Sequence, residues 1–275
     1  APVEFLPYYA DLAGNYEWSR DLGNAEPMGM PAHRWIEKEA VGVVGAITAW
    51  NFPHQLNIAK IAPAFAAGNT VVLKGAPATP WAALMLGKLA AEHTDIPPGV
   101  LNIITSGRND IGEAITTDPR VDLVTFTGST AVGKRIIAAA SDTVKKVFLE
   151  LGGKSAIVAL DDCDMSAAAG AAAFGVCTHA GQGCAIPTRL LLPRSRYDEG
   201  VEIAKMVLET MPYGDPTDAG NFMGPLVTDV QRERVEGLIR TALDEGATLV
   251  TGGKRPEHLD KGWFVEPTLF TDVDS

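Results

Sequence analysis

VGVVGAITAWNFPHQLNIAKIAPAFAAGNTVVLK, the stretch Val41–Lys74, decides the fold. Val41–Trp50 is a valine-rich apolar run that reads as a strand. His54–Ala67 carries apolar residues at helical spacing and is terminated by Gly68-Asn69. Thr70–Leu73 is β-branched and reads as a second strand. Strand, helix, strand at this spacing predicts a parallel pair joined by a crossover helix. The alternation continues with a helix near Pro80–Glu92, a strand at Val100–Thr105, a helix near Asp110–Ile115 and a strand at Val121–Phe126. Thr130–Ala140 is then helical, while Val144–Leu149 and Ala156–Leu160 are extended. The expected class is therefore α/β, with a mostly parallel sheet covered on both faces and ligands taken at the carboxyl ends of its strands.

Outward from this core the rhythm changes. A helix is expected over Asp164–Thr178, then a glycine-rich turn and a strand at Thr188–Leu192. Helices near Arg196–Glu209 and Val230–Glu245 flank the Pro, Gly and Asp-rich loop Pro212–Pro225, and strands at Ala247–Val250 and Trp263–Leu269 follow. Before the core, Phe5–Arg20 reads as a helix, and Asn24–Arg34, rich in proline and glycine, reads as a projecting arm.

The 275 residues suffice for one large domain or two ordinary ones, and 46% hydrophobic against 21% charged residues is the balance of a globular protein. A formal net charge of −11 with scattered basic residues excludes the clustered lysines and arginines that a nucleic acid requires, so no nucleic-acid partner is expected. Ala167–Cys177, the most apolar stretch, is too short to span a bilayer, so no membrane partner is expected either. The start, Ala1-Pro2-Val3-Glu4, shows no secretory signal. The three cysteines, Cys163, Cys177 and Cys184, have no disulfide-framework spacing, so a reducing, cytoplasmic setting is expected.

Several residue types invite chemistry. Cys184 lies in Ala180-Gly181-Gln182-Gly183-Cys184, where glycines leave room in front of a sulfur; it is either an accessible nucleophile or a small core residue. Glu150, between Leu149 and Leu151, invites burial, which makes a carboxylate a usable base near neutral pH; the plainer reading pairs it with Lys154. Phe126-Thr127-Gly128-Ser129-Thr130 leaves a strand and opens a helix, the setting in which free N–H groups bind phosphate, although it is not the G-x-G-x-x-G fingerprint. Lys74 ends a strand as a cofactor contact or an ordinary lysine. Asn51, in Trp50-Asn51-Phe52-Pro53, is an oxyanion donor or a turn former.

In this order these pieces resemble the aldehyde dehydrogenase superfamily. The matching segments are Trp50-Asn51-Phe52-Pro53, Val72-Leu73-Lys74, Phe126-Thr127-Gly128-Ser129-Thr130, Glu150-Leu151-Gly152-Gly153-Lys154, Gly181-Gln182-Gly183-Cys184, Met223-Gly224-Pro225-Leu226 and Gly262-Trp263-Phe264-Val265-Glu266-Pro267-Thr268. The resemblance runs from about Phe5 to the last residue. It implies a Rossmann-like dinucleotide-binding domain over residues 41–151, a catalytic domain over 152–275, and a helix with an oligomerisation arm over 1–40. All three are expected to be partial, because the family's chains are about twice this long and its later Glu-x-Phe-Gly-Pro motif is not found. It also implies NAD or NADP as cofactor, a small-molecule aldehyde as substrate, no metal, and a homo-oligomer, dimer or tetramer.

The implied roles are these. The Cys184 thiolate attacks the aldehyde, Asn51 and the Cys184 N–H hold the oxyanion, and Glu150 activates the water that hydrolyses the thioester. Ser129 and Gly128 lie by the pyrophosphate, Lys74 by the adenosine ribose, and Trp50, Leu151 and Gly152 complete the cofactor contacts. Where many NAD-preferring members carry an acid three residues after the lysine, this chain has Pro77, which leaves NAD against NADP open. Three rivals remain. A CoA-acylating semialdehyde dehydrogenase generally lacks the glutamate found here as Glu150. A non-catalytic relative predicts a lost nucleophile or base, and both are present. A cysteine hydrolase with His179 as base would leave the phosphate turn idle.

Gln55, Leu56 and Ala59 share one helix face toward the expected substrate tunnel, and several small-aldehyde members carry bulky aromatics at the Ala59 and Thr178 positions. Both are small here, so hexanal and benzaldehyde are expected to exceed acetaldehyde in kcat/KM by roughly tenfold or more. Steady-state kinetics on the three aldehydes decides; a preference for acetaldehyde would contradict the wider tunnel.

Overall fold

In the computed structural model, which describes residues 2–273, the chain opens on helix α1 (Phe5–Asn15) and an antiparallel hairpin, β1 (Ser19–Ala25) and β2 (Ala32–Glu37). Both differ from the sequence expectation. The helix stops at Asn15, with Tyr16 already extended, so Arg20 belongs to a strand, and the Pro/Gly-rich region is the turn and second strand of a hairpin. The strand sequence Ser-Arg-Asp-Leu-Gly-Asn-Ala has no period-2 alternation, because neither face is buried and pairing with Ala32–Glu37 alone holds it extended. Ala1, Asp274 and Ser275, at the outer ends of the expected first and third regions, lie outside the described residues.

The core of the first unit, Ala1–Leu151, is a five-stranded parallel sheet in the order β5-β4-β3-β6-β7. Its strands are β3 (Val43–Ile47), β4 (Thr70–Gly75), β5 (Leu101–Thr105), β6 (Leu123–Gly128) and β7 (Lys146–Leu151). Helices α2 (Pro53–Ala66), α3 (Pro80–His93), α4 (Asn109–Thr117) and α5 (Thr130–Ala140) make the crossovers. Alternation along β3 divides the core. Val44 and Ala46 join Val71, Leu73, Ile61, Ala64 and Ala83 against α2 and α3. Val43 and Ile47 face the opposite way and join Val124, Phe126 and Ile136 of α5. Because both faces are covered, the strands read as continuous apolar runs. The helix over His54–Ala67 ends as expected, with Gly68 at φ +75°.

The second unit, Gly152–Ser275, contains the parallel pair β8 (Ser155–Val158) and β9 (Pro187–Leu191), and helices α6 (Met165–Cys177), α7 (Tyr197–Glu209) and α8 (Asp229–Asp244). The antiparallel pair β10 (Thr248–Thr251) and β11 (Leu269–Thr271) completes it. Its core gathers Ala173 and Cys177 of α6, Ala204 and Leu208 of α7, and Met211 and Met223 beyond them. Asp164 caps α6, accepting from the Ala167 N–H at 3.0 Å. The strand expected over Trp263–Leu269 forms only from Leu269. Gly262 turns at φ +93° and Pro267 lacks a donor, so this stretch instead bonds singly to loops, at Trp263 with Leu226 and at Glu266 with Lys254. Among the described residues no helix is long and apolar enough to cross a membrane.

Leu73 is 0% exposed at the centre of the sheet. Leu73→Ala is expected to destabilise the first unit by about 2–5 kcal/mol, read as a lowered denaturant midpoint with an unchanged slope.

Candidate functional site

The sheet order makes a crevice. From β3 the chain runs outward through α2, β4, α3 and β5 on one side. It then returns past β3 to add β6 and β7 on the other. Loops leaving β3 and β6 therefore go to opposite faces and part at their carboxyl ends, where doubly wound sheets take ligands. Trp50 and Asn51, both half-buried, stand in the loop after β3, and Gly128 and Ser129 stand at the end of β6. A cavity of about 310 Å³ opens on this edge, with Ile47 and Phe126 from the sheet, Val132 and Ile136 from α5, Gly112 from α4, and Lys74. Asn109, Glu113, Thr116 and Arg135 complete the lining, so an apolar patch meets a polar, charged rim, which suits a flat heterocycle joined to a polar sugar.

Local chemistry shapes each wall. Ser129 is the N-cap of α5, its hydroxyl accepting from the Val132 N–H at 3.4 Å, so the helix presents its amino end to the crevice. A Cβ on Gly128 would lie 2.3 Å from the Phe126 ring, so only glycine lets that ring fold beneath the turn. Lys74 is buried and its ammonium donates to the Ser106 carbonyl at 3.1 Å; burial holds its pKa below the usual lysine range. Pro77 is exposed after β4.

A second cluster shares the edge. Glu150 pairs in register with Thr127 at the ends of β7 and β6. The expectation of a buried Glu150 is corrected: Leu149 and Leu151 pack inward and Glu150, between them on an alternating strand, points outward and is exposed. Behind it Lys60 of α2 is only 7% exposed and donates to the Thr125 hydroxyl at 2.9 Å. Burial pushes the Lys60 pKa down to about 8, against the attraction of Glu150, which favours the charged form. The Thr127 hydroxyl is buried without a hydrogen-bond partner among the described residues.

Cys184 belongs to the second unit, where it is exposed on the turn after α6. The turn is left-handed at three successive residues: His179 (φ 56°), Ala180 (φ 53°) and Gly181 (φ 73°). Glycine takes this conformation freely, whereas His179 and Ala180 are strained by about 1–2 kcal/mol each. The two other thiols differ in kind. Cys177 is buried and its pKa is pushed up to about 11, and Cys163 is half-buried. Gly152 opens the second unit directly after Leu151.

The structure thus gathers Asn51, Trp50, Lys74, Gly128, Ser129, Glu150 and Leu151 on one sheet edge of the first unit, and sets Cys184 on its own turn in the second. Three residues not singled out from the sequence take part: Lys60, Thr127 and Gln182. A lysine on the apolar face of α2, beside Asn57 and Ile61, was the available signal for the first. Thr127 and Gln182 lie inside the segments Phe126–Thr130 and Gly181–Cys184, where the glycines and the cysteine are the stronger signals.

A family model described as the aldehyde dehydrogenase family matches residues 2–275. Aminoaldehyde dehydrogenase 2, peroxisomal, of Pisum sativum is 41% identical over 269 residues, 97% of this chain and 52% of that protein. The Mycobacterium tuberculosis aldehyde dehydrogenase complexed with NAD+ is similar at a TM-score of 0.93 and 44% identity, over 99% of this chain and 55% of that one. A 3,6-anhydro-L-galactose dehydrogenase in complex with NADP is similar at a TM-score of 0.93 and 37% identity, over 99% of this chain and 57% of that one. The chain spans about half the length of the curated relatives it matches.

Lys60 carries a pH signature. Its folded pKa of about 8 lies below the roughly 10.4 of an unfolded lysine, so the cost of burying its charge is complete below pH 8. Between about pH 8 and 10.4 the folded protein releases this proton while the unfolded chain keeps it, so stability gains with pH by at most roughly 3 kcal/mol. Denaturant midpoints measured across that window should show the gain in the native protein and lose it in Lys60→Met.

Proposed function

The chain belongs to the aldehyde dehydrogenase family, and from that premise we propose that it carries the nucleophile, base and dinucleotide crevice of an NAD(P)-dependent enzyme that oxidises an aldehyde to a carboxylate. One observation carries the reading. Of three thiols only Cys184 is exposed, in the glycine-flanked turn of the family's motif, while burial makes Cys177 a poor nucleophile.

The crevice fits the cofactor: a slot with an apolar patch and a polar rim, a capped helix amino end, Lys74 at one wall, and a Gly128 whose missing Cβ makes room for the Phe126 ring beneath the turn. Ser129 and Gly128 would hold the pyrophosphate, Lys74 the adenosine ribose, and Trp50, Leu151 and Gly152 further parts of the dinucleotide. When bound there, NAD(P) supplies the acceptor for the aldehyde's hydride. With Pro77 in place of an acid, nothing at that position repels a 2′-phosphate, which supports use of either dinucleotide.

The chain's own residues do the rest. Cys184 sulfur bonds to the carbonyl carbon and the carbon–oxygen π pair moves to oxygen. The Asn51 amide and the Cys184 N–H donate to that oxyanion; losing one such donor typically costs roughly a hundredfold or more in rate. After oxidation the acyl group is a thioester on Cys184. Glu150, exposed and free to meet water, takes a proton as the water oxygen adds, and the thiolate departs from the carboxylate product. The presence of this base favours water over coenzyme A as acyl acceptor. Gln55 and Ala59 are exposed on α2, which supports a wide approach for the aldehyde. The hairpin β1–β2 leaves Leu22, Met28, Met30 and Trp35 exposed, which supports a homo-oligomer. Three unpaired thiols support a reducing, cytoplasmic setting.

Glu150→Gln in the intact protein is expected to release a stoichiometric burst of NAD(P)H and then stall as the acyl-enzyme, since a neutral amide cannot accept the water's proton. Stopped-flow absorbance measures it; a steady-state rate equal to that of the native protein would remove Glu150 from water activation.

A further inference from the structure

One side chain bridges the turn that presents Cys184 to a distant segment. Gln182, two residues before the cysteine, uses both its backbone N–H and its side-chain Nε2 to donate to the His179 carbonyl, at 3.1 and 3.0 Å. Its Oε1 accepts from the Val227 N–H at 3.0 Å. The first two bonds close the left-handed turn His179–Gly181; the third ties it to the segment Met223–Val227. That segment is itself fixed. The Phe222 and Met223 N–H groups donate to the Pro212 carbonyl at 2.9 and 3.2 Å, and the Leu226 N–H donates to the Trp263 carbonyl at 3.0 Å. Met223 is buried in the same core as Cys177, which ends α6. The turn is thus braced from its own helix and from an independent segment, and the Gln182 amide is the link between them.

We propose that Gln182 is a positioning residue for the nucleophile. By donating to His179 and accepting from Val227 it selects the strained left-handed turn and so fixes the direction of the Cys184 thiol and backbone N–H. The inference rests on Cys184 being the nucleophile. An amide is the side chain of this length that donates and accepts at once. A carboxylate keeps the acceptor for Val227 but sets a negative oxygen against the His179 carbonyl. A thioether of the same length offers neither a donor nor a good acceptor.

The test uses the intact protein with Cys184→Ala, Gln182→Glu and Gln182→Met. Iodoacetamide labelling, localised to Cys184 by peptide mass, and the pre-steady-state burst of NAD(P)H report on the thiol; thermal midpoint and dinucleotide KM report on the rest. Gln182→Met is expected to slow labelling and burst by about tenfold or more at every pH, with the dinucleotide KM unchanged. Gln182→Glu is expected to be as slow at pH 8 and to approach the native rate measured at the same pH as the pH falls below about 4.3, the ordinary glutamate value, where the introduced carboxyl is protonated and donates again. A role confined to stability does not predict that recovery. Native burst and labelling rates in both Gln182 variants would overturn the proposal, as would failure of both to fold, which would make Gln182 a stability residue. An active Cys184→Ala protein would instead overturn the assignment of the nucleophile, a separate failure that this control identifies.

Discussion

Parallel pairing of β3 on both of its edges is the constraint from which the first unit follows. Val43–Ile47 bonds in register to Thr70–Lys74 on one side, and its Val44–Ile47 part to Leu123–Phe126 on the other, so a strand added later in the chain lies beside the first rather than beside its predecessor. A parallel neighbour requires a crossover helix, and right-handed crossovers on the two sides of β3 place their helices on opposite faces. The loops after β3 and β6 must diverge at the carboxyl edge. Residues distant in sequence, such as Asn51, Lys74, Ser129 and Glu150, reach that edge because of where their strands end.

The same edge also brings charge under the sheet. Lys60 sits where an apolar side chain would be the more stable choice, since desolvating an ammonium costs more than one hydrogen bond to Thr125 returns. The lowered Lys60 pKa, about 8, has the direction this imbalance requires: burial lowers it, and Glu150 limits the fall. The carboxylate at the strand end therefore favours the charged form of the ammonium behind it, and removing Glu150 is expected to lower the Lys60 pKa further.

Much of this was legible because local signals and global fold agree. Thr130–Ala140 is helical in the structure over the residues read from sequence, and Gly68-Asn69 ends α2 where its glycine adopts a left-handed turn. The failures have local causes. The strand Ser19–Ala25 carries no apolar alternation, because it buries nothing and is held by a partner whose position no local pattern encodes. Trp263–Pro267 has strand-forming residues, yet its bonds go to separate loops, and only the fold supplies those. For Glu150 the same local pattern carries the correction: leucines on both sides of an acid in a strand place the acid on the opposite face, toward solvent. The glycines around Cys184 leave it open between an accessible thiol and a core residue, and the structure exposes it; the contact of Gln182 with Val227 joins segments too far apart in sequence for a local pattern to show.

Magnitudes explain why that bracing matters. His179 and Ala180 in left-handed conformation cost roughly 2–4 kcal/mol together. Three hydrogen bonds through Gln182, at about 0.5–1.5 kcal/mol net each, return roughly the same amount. The bonds through Gln182 are thus of the same size as the strain they oppose. Strained backbone persists only where its surroundings over-determine it, and here those surroundings include α6 on one side and the Met223–Val227 segment on the other. A thiol mounted on such a turn gains a fixed direction that a relaxed loop would not give. Two of the three bonds come from the Gln182 amide side chain, which is why its replacement is expected to reach the thiol.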